Sequence, residues 1–298
     1  AFMAFIVVAG FPITAILSYL IIPSFGWRPM FIIAGIGSLI VWYLRKKLPE
    51  SPRWLESKGR TAEAEALMQT IEKDVAAAGA LPAPAQTAPV ALVTAADMLR
   101  PPILQRMIVG SWVLITINTL IFGFVIFLPQ FFLRQGLTIT HSLAYTLVLS
   151  AASLVGCALG AWSADAVGRR WSIIGASIVT IVFGYVYARF NAASDPAMVL
   201  SAGFVLIVAI YVQTALLFGV YTPGLFPTEI RLRANGICNT LGRAATVVSP
   251  FVVGYLMVHY KLPGVIWLMI GLLVVQIGLV WIWGVEPRNR ALEDVAAI

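Results

Sequence analysis

Charged side chains in this sequence gather in four short segments that combine carboxylates with guanidinium groups. These segments are 48–55, 160–170, 227–243 and 286–294. A guanidinium group can hold a carboxylate through two parallel hydrogen bonds, so ion pairs can tie neighbouring segments together. A layer of such pairs can form in one state of a protein and break in another. We therefore predict a gate made of Glu50, Arg53, Asp165, Gly168, Arg169, Arg170, Glu229, Arg231 and Arg243.

Polar side chains are rare inside the long apolar stretches of the sequence, and these few can bind a solute. A solute that crosses a membrane needs partners near the middle of the bilayer. Asn118 and Gln213 lie near the middle of their stretches and are the strongest candidates. The predicted substrate-binding residues are Asn118, Gln213, Tyr145, Asn239 and Trp112. Further candidates are Thr116, Thr214 and Gln276, with Phe122, Phe124 and Tyr211 as walls. Each can instead bond a neighbouring helix or face lipid, and the sequence leaves both roles open.

Other kinds of chemistry find little support in the sequence. No apolar stretch combines Ser with His, Cys with His, or His with Glu as membrane catalysis requires, so we do not expect an enzyme. Cys157 and Cys238 lie outside any metal-binding motif, and no cofactor or metal is expected. No Asp or Glu lies in the interior of an apolar stretch. A titratable group for proton coupling is therefore His141 or His259, or lies outside this sequence.

The composition indicates that these residues are positioned by membrane-spanning helices. Of 298 residues, 60% are hydrophobic and 11% are charged, whereas soluble domains carry about 25% charged residues. A helix needs about 20 apolar residues to cross a bilayer. The predicted spans are 2–23, 29–47, 106–128, 142–164, 171–190, 198–222, 234–258 and 264–284.

Proline and glycine inside these spans are expected to break the helices locally. The residues concerned are Pro12, Pro223, Pro250, Gly10, Gly110, Gly123, Gly219 and Gly254. Small residues also let helices pack closely, and that explanation stays equally open.

Two features are predicted between the second and third spans. Apolar residues recur at helical spacing from Thr61, beside acidic and basic ones, and predict a short amphipathic helix on the inner face. The stretch 75–96, rich in Ala and Pro, is too weakly hydrophobic to insert and is predicted to be a flexible linker. The helix either joins two halves of the protein or docks a regulator.

The basic residues predict the orientation of the spans. Alternate loops carry 15 of the 20 Lys and Arg residues, and loops rich in Lys and Arg stay on the cytoplasmic side. The opposite loops hold Arg28, Arg134, Arg189 and Lys261. Both ends of the chain are therefore expected in the cytoplasm. Each charged segment, taken alone, is also typical of such basic loops.

At the charged turns the sequence closely resembles the major facilitator superfamily, in its sugar-porter and metabolite:proton-symporter branch. The turn Asp165-x-x-Gly168-Arg169-Arg170 is similar to the family's signature loop. Residues 49–55 match the proline-glutamate-serine-proline-arginine motif of the family's central loop. Residues 227–231 with Gly242-Arg243 are similar to the turn between its tenth and eleventh helices. With the last charged segment, these motifs follow the family's order over nearly the whole chain.

The resemblance implies an all-α, polytopic membrane bundle with the major facilitator fold, in which eight of twelve transmembrane helices are present and the first four are absent. It divides the chain into 1–48, the last two helices of the N-terminal half, and 49–103, a cytoplasmic central loop. Residues 104–285 then form the C-terminal half and 286–298 a cytoplasmic tail. The fragment alone is not expected to transport.

Two departures from the family pattern bear on the substrate and the gate. Gly224 stands where the family usually has a glutamate, so Glu229 must supply that carboxylate. The third span, at Ile117 to Leu120, lacks the paired glutamines typical of sugar porters. We therefore expect a small organic acid as substrate in preference to a sugar.

The resemblance implies a secondary active transporter that moves a small metabolite by alternating access, coupled to protons. The expected partners are the solute, H⁺ and the lipid bilayer, without nucleic acid, and a monomer at full length. The expected location is the bacterial inner membrane. A sugar:H⁺ symporter, and a transporter-like membrane sensor or scaffold, remain the alternatives.

Overall fold

The computed structural model describes residues 2–46, 50–52, 55, 58–78, 100–226 and 230–286, without the side chains of 2–5, 74–78, 219 and 220. Within these ranges the regular elements are helical. The α-helices are α1 (Phe2–Phe25), α2 (Arg28–Arg45), α3 (Thr61–Ala78), α4 (Pro101–Leu120), α5 (Leu128–Arg134), α6 (Ile139–Ala166), α7 (Arg169–Arg189), α8 (Pro196–Leu216), α9 (Arg231–His259) and α10 (Lys261–Trp283). One further helical turn spans Thr222–Gly224.

All eight predicted spans are helices that are long and apolar enough to cross a membrane. Their ends lie within six residues of the predicted bounds, because proline and basic residues set them. Pro29, Pro101 or Pro102, and Pro196 stand in the first turns of α2, α4 and α8, where a missing N–H costs no hydrogen bond. The composition therefore determined the number and position of the spans.

The segment between the third and fourth spans forms a short helix that was not predicted from the sequence. It contains α5, which begins at Leu128 with proline in its first turn. Phe131 and Phe132 of this helix are buried, and Phe131 packs against Phe124 with ring centroids 5.5 Å apart. Burial of the two phenylalanine rings stabilises this segment as a helix.

The chain divides into two units, and the smaller comprises residues 27–90. It holds α2, none of whose residues is buried, and α3, which begins at the predicted Thr61. Arg60 precedes α3 and donates to the carboxylate of Glu63 over 2.8 and 2.6 Å. This hydrogen bond lowers the pKa of Glu63. The sequence prediction of a helix here is confirmed.

The larger unit comprises residues 1–26 and 91–298, with α1 beside α6 and with α4 to α10 packed together. Its closest helix contact joins α6 and α8. A Cβ on Gly156 would lie 2.5 Å from the carbonyl oxygen of Val208, and one on Gly160 would lie 2.8 Å from that of Val212. Two glycines four residues apart thus bring two helix backbones into contact, as small residues do in membrane bundles.

Two helices of the larger unit end in π turns. Ile121–Val125 continues α4, and Leu217–Tyr221 continues α8. Gly123 and Gly219 lie inside these turns, so the predicted local breaks occur at both residues. The expectation is wrong at five residues that lie within the continuous helices α1, α4 and α9, namely Pro12, Pro250, Gly10, Gly110 and Gly254.

Candidate functional site

A cavity of about 430 Å³ opens in the larger unit between α1, α4, α6, α8 and α9. Its volume lies in the range of small-molecule sites. Most of its wall is apolar, and its polar side chains are few. The lining residues that can hydrogen bond are Asn118, Tyr211, Thr214 and Arg243.

Asn118 lines this cavity and has a side-chain acceptor without a partner among the described residues. Its side-chain nitrogen donates to the Leu114 carbonyl oxygen over 2.7 Å, whereas its Oδ1 is buried and has no partner among the described residues. A Cβ on Gly242 would lie 2.8 Å from Leu114 Cβ and 3.1 Å from Asn118 Nδ2. Any larger residue at this position would therefore separate α9 from α4 and displace the amide.

Arg243 follows Gly242 and supplies the one charged side chain among the described residues that line the cavity. Its guanidinium group makes no ion pair or hydrogen bond to the described residues. A full positive charge beside an apolar wall favours an anionic ligand, because low polarity strengthens the attraction between opposite charges. The sequence placed Arg243 in the gate, and the structure places it on the cavity.

The wall contributed by α8 follows one helical face. Tyr211, Thr214, Ala215 and Phe218 line the cavity at the spacing i, i+3, i+4, i+7 that marks one side of a helix. The hydroxyl of Tyr211 is buried and has no partner among the described residues. Tyr211 also borders a second cavity of about 270 Å³, which adjoins α1 and α6.

Gln213 lies off that face and belongs to a buried network instead. Its Oε1 accepts from Ser177 Oγ at 3.2 Å and from Gln276 Nε2 at 2.7 Å, and its Nε2 donates to Thr180 Oγ1 at 3.0 Å. Gln276 Nε2 also donates to Ser177 Oγ at 2.9 Å. The network joins α7, α8 and α10, and all four side chains are at most 1% exposed. The structure therefore places this predicted substrate ligand outside the cavity.

Three other predicted substrate residues also lie away from the cavity. Trp112 donates its indole N–H to the Leu272 carbonyl oxygen at 3.2 Å. Tyr145 packs edge-on against Phe132, and Asn239 bonds Asn235 within α9. These are the interhelical and packing roles that the sequence left open, and Asn118 alone of the five predicted residues lines the cavity.

The predicted gate turn carries a carboxylate that caps a helix, but the carboxylate is Glu286. Its Oε1 and Oε2 accept from the backbone N–H groups of Arg169 at 3.1 Å and Arg170 at 2.8 Å. An anion at a helix N-terminus meets unpaired N–H groups and the positive end of the helix dipole. Gly168 is required here, since its φ is 101° and a Cβ would lie 3.0 Å from Glu286 Oε2.

The other predicted gate residues of this turn do not form the expected ion pairs among the described residues. Asp165, a predicted gate residue, is exposed and makes no ion pair with the described residues. The side chain of Arg170 donates to the Trp281 carbonyl oxygen, so α7 is tied to the end of α10 through backbone and side chain together. In the described part of the chain this junction is a capped helix, and charge pairing between side chains is absent from it.

A second anchor holds the turn between α8 and α9. Arg106, buried in the first turns of α4, donates to the Leu225 carbonyl oxygen at 3.3 Å, and Arg231 donates to that of Phe226 at 3.3 Å. Glu50 is exposed in the smaller unit. The predicted gate residues Arg53 and Glu229 lie outside the described residues.

Sequence reasoning missed Glu286 and Arg106 as functional candidates. Glu286 could have been found from the sequence, because it follows the last span as Glu50 follows the second. Arg106 had none, since it stands at the border of a span like any basic flanking residue. In the described residues, no group of His, Cys, Asp and Glu could hold a metal ion.

Comparison with known proteins gives a consistent picture. The model of the family described as "Sugar (and other) transporter" matches residues 2–298. The inner membrane metabolite transport protein YdjE of Escherichia coli is 30% identical over 297 residues, covering 96% of this chain and 64% of the relative. The niacin transporter NiaP of Acinetobacter baylyi is 27% identical, covering 96% of this chain and 65% of the relative.

Solved structures agree on the fold. The proton:xylose symporter XylE, of the major facilitator superfamily, matches with a TM-score of 0.66 and 20% identity over 99% of this chain and 65% of its own. The chain thus spans slightly under two thirds of the length of the relatives it matches. The all-α fold predicted from the sequence is confirmed.

Proposed function

Because the chain belongs to the sugar (and other) transporter family, we propose that it is the substrate-binding part of a secondary transporter for a small anionic metabolite. It is a multi-pass integral membrane protein. The observation that carries the proposal is the cavity in which the Arg243 guanidinium, the Asn118 Oδ1 and the Tyr211 hydroxyl lack partners among the described residues.

A carboxylate satisfies this arrangement better than a sugar. Arg243 can hold a carboxylate through two parallel hydrogen bonds, and the apolar wall suits a compact hydrophobic body. A sugar has several hydroxyl groups, each of which needs a partner once it is removed from water. The relative named as a niacin transporter supports this choice, since niacin is an aromatic carboxylic acid.

We further propose alternating access with proton coupling as the mechanism. The π turns that end α4 and α8 support it, because Ile121, Phe122 and Phe218 of these turns lie on the cavity wall, and π turns often accompany functional sites. In this mechanism the contact between Glu286 and the N-terminus of α7, at the Gly168 turn, forms in one state and breaks in the other. The domain division, the orientation of the termini and a monomeric full-length protein stay predictions.

Uptake by proteoliposomes containing the full-length protein tests the proposal. We expect labelled monocarboxylates such as nicotinate to accumulate under an inward proton gradient, and a protonophore to abolish that accumulation. Xylose, tested in parallel, should accumulate at background level. Accumulation of sugar without carboxylate would instead support the sugar:H⁺ alternative. Binding without accumulation of either would support a sensor.

The gate has its own experiment, with a matched pair of carboxylates. Glu286→Gln should slow uptake severalfold, because an amide loses the charge-assisted character of the two hydrogen bonds to the α7 N-terminus. Asp165→Asn should leave uptake within twofold of wild type, since Asp165 is exposed. The reverse order would contradict the assignment of the contact to Glu286.

A further inference from the structure

A third cavity, of about 590 Å³, lies where α7 and α9 end and α10 begins. Three of its lining side chains are cationic, namely Arg134 of α5, Arg189 of α7 and Lys261 of α10, and no described Asp or Glu lines it. These are three of the four basic residues predicted on the outer side of the membrane. Positive charge, which is sparse on this face, is therefore gathered at one place.

The fold neutralises little of this charge. Arg134 Nη1 donates to the neutral Met257 carbonyl at 3.4 Å, and Arg189 lies 5.4 Å from the Tyr185 ring centroid. The carboxyl ends of α7 and α9 each contribute roughly half a negative charge. The amino end of α10, which has no acidic residue in its first turn, offsets one of them. The three full positive charges therefore exceed the net partial negative charge of the helix ends around them.

The backbone at Lys261 is also unusual. Its φ is +57°, the one positive value among the described residues other than glycine. A residue with a Cβ adopts this conformation at an energetic cost, which the surrounding structure must offset. The conformation turns the chain sharply between α9 and α10, and it puts a cation at the edge of the cavity.

A groove of about 390 Å³, five of whose seven lining residues are apolar, continues from this cavity along α7 and α10. The two share Ala188, Arg189 and Pro263. The groove is also walled by Tyr185, Trp267 and Ile270. Ile270 stands seven residues beyond Pro263, so the groove runs about 10 Å along the helix. Trp267 is 62% exposed, as is typical of aromatic residues at a membrane interface.

We propose that this cavity and groove bind an anionic phospholipid, with its phosphate among the three cations and an acyl chain in the groove. The phosphate chemistry alone would also suit a free phosphate ester. A free ester, however, would leave the exposed groove without an occupant, whereas a lipid fills both parts. The bound lipid would neutralise the cluster and hold the ends of α7, α9 and α10 together.

Native mass spectrometry of the full-length protein tests this site. We expect phosphatidylglycerol to be retained in preference to phosphatidylethanolamine. The triple variant Arg134→Gln, Arg189→Gln, Lys261→Asn should bind phosphatidylglycerol more weakly by about fivefold for each charge removed. Asn is chosen at 261 because it tolerates positive φ. Arg28→Gln, which removes the fourth basic residue of that predicted side, is the matched control and should change nothing.

The groove is tested by Trp267→Ala with glycerol 1-phosphate as competitor. The variant should lose phosphatidylglycerol severalfold, and millimolar glycerol phosphate should not displace the lipid from wild type. Unchanged phosphatidylglycerol preference in the triple variant would overturn the site, and full displacement by glycerol phosphate would overturn a lipid as its occupant. If the triple variant unfolds in detergent, Arg189→Gln alone serves, because within the described part of the chain that side chain makes only a ring contact.

Discussion

Asn118 and Gln213 are amides near the middle of apolar spans, and the structure gives them opposite surroundings. Every polar atom of the Gln213 side chain is bonded to Ser177, Thr180 or Gln276. Asn118 lines the cavity and uses its nitrogen within its own helix, and its Oδ1 is buried without a partner among the described residues. Gln213 serves the fold, and Asn118 has an acceptor available to a ligand.

The difference shows how to separate structural from ligand-binding polar groups inside a membrane protein. An interhelical hydrogen bond in a membrane contributes about 0.6 kcal/mol on average. A buried acceptor left without a partner costs about 1 to 3 kcal/mol. An unpaired buried acceptor on a cavity is therefore an unfavourable arrangement that a bound ligand can relieve, and pairing within the protein removes that possibility.

The largest expected effect that would sharpen this comparison is at Arg243. Arg243→Gln should reduce carboxylate uptake by about 100-fold, because the variant loses charge-assisted hydrogen bonds to the carboxylate, which contribute roughly 1.5 to 3 kcal/mol each. Uptake by proteoliposomes measures it, and Arg243→Lys should recover part of the loss. A wild-type rate of uptake by the Gln variant would show that the guanidinium group does not bind the substrate.

A smaller loss of transport is expected at Asn118. Asn118→Leu should raise the substrate KM by about 10-fold, since the unpaired acceptor contributes one hydrogen bond of about 1.5 kcal/mol to the ligand. Melting temperature should not fall, because among the described residues the replaced amide bonds only its own helix. A lower melting temperature with an unchanged KM would make Asn118 structural, like Gln213.

The converse effect is expected at Gln213. Gln213→Leu should destabilise the protein by about 1 kcal/mol, by breaking the network between α7, α8 and α10, and should leave KM unchanged. The double variant Gln213→Leu, Gln276→Leu should lose less than the sum of the single variants, since both members of the pair become apolar. Thermal unfolding in detergent measures both. A raised KM with unchanged stability would break the comparison.

The smallest effect is expected at Tyr211. Tyr211→Phe removes a buried hydroxyl without a described partner and retains the ring that contacts Phe11. Stability should stay the same or rise slightly, and substrate affinity should fall by about threefold if the hydroxyl meets the ligand. Equilibrium binding of labelled substrate measures the change. Unaltered affinity would restrict Tyr211 to packing.

The fold was largely predictable because composition and charge determine it. Runs of about 20 apolar residues can only be helices in a bilayer, since each backbone group must be bonded within its own segment. The short helix α5 was not predicted, because burial of Phe131 and Phe132 stabilises it. That burial depends on packing between helices and cannot be read from the local sequence. At Pro12 and Pro250 a break was predicted, but the helix is continuous. Neighbouring helices can support a continuous helix around a proline.

The site was less predictable because the spans are apolar on every side. The face formed by Tyr211, Thr214 and Phe218 can be read from the spacing, and Gln213 plainly lies off it. Nothing in the sequence tells which face of α8 meets the cavity, because packing against α6 decides that. Glu286 and Asp165 are likewise alike in sequence, and only the packing of α10 against α7 selects the carboxylate that caps the helix.

The π turn at Ile121–Val125 has a consequence for how such proteins diversify. A π turn holds one residue more than the α-helical turn it replaces, so it can be viewed as a tolerated insertion. Loss of a single codon within it would restore regular winding and rotate the part of the helix before the turn by about 100° relative to the part beyond it. Asn118 would then be carried off the cavity wall and another side chain brought onto it. One deletion could thus exchange a binding residue without any substitution, and a lineage could acquire a new solute in one step.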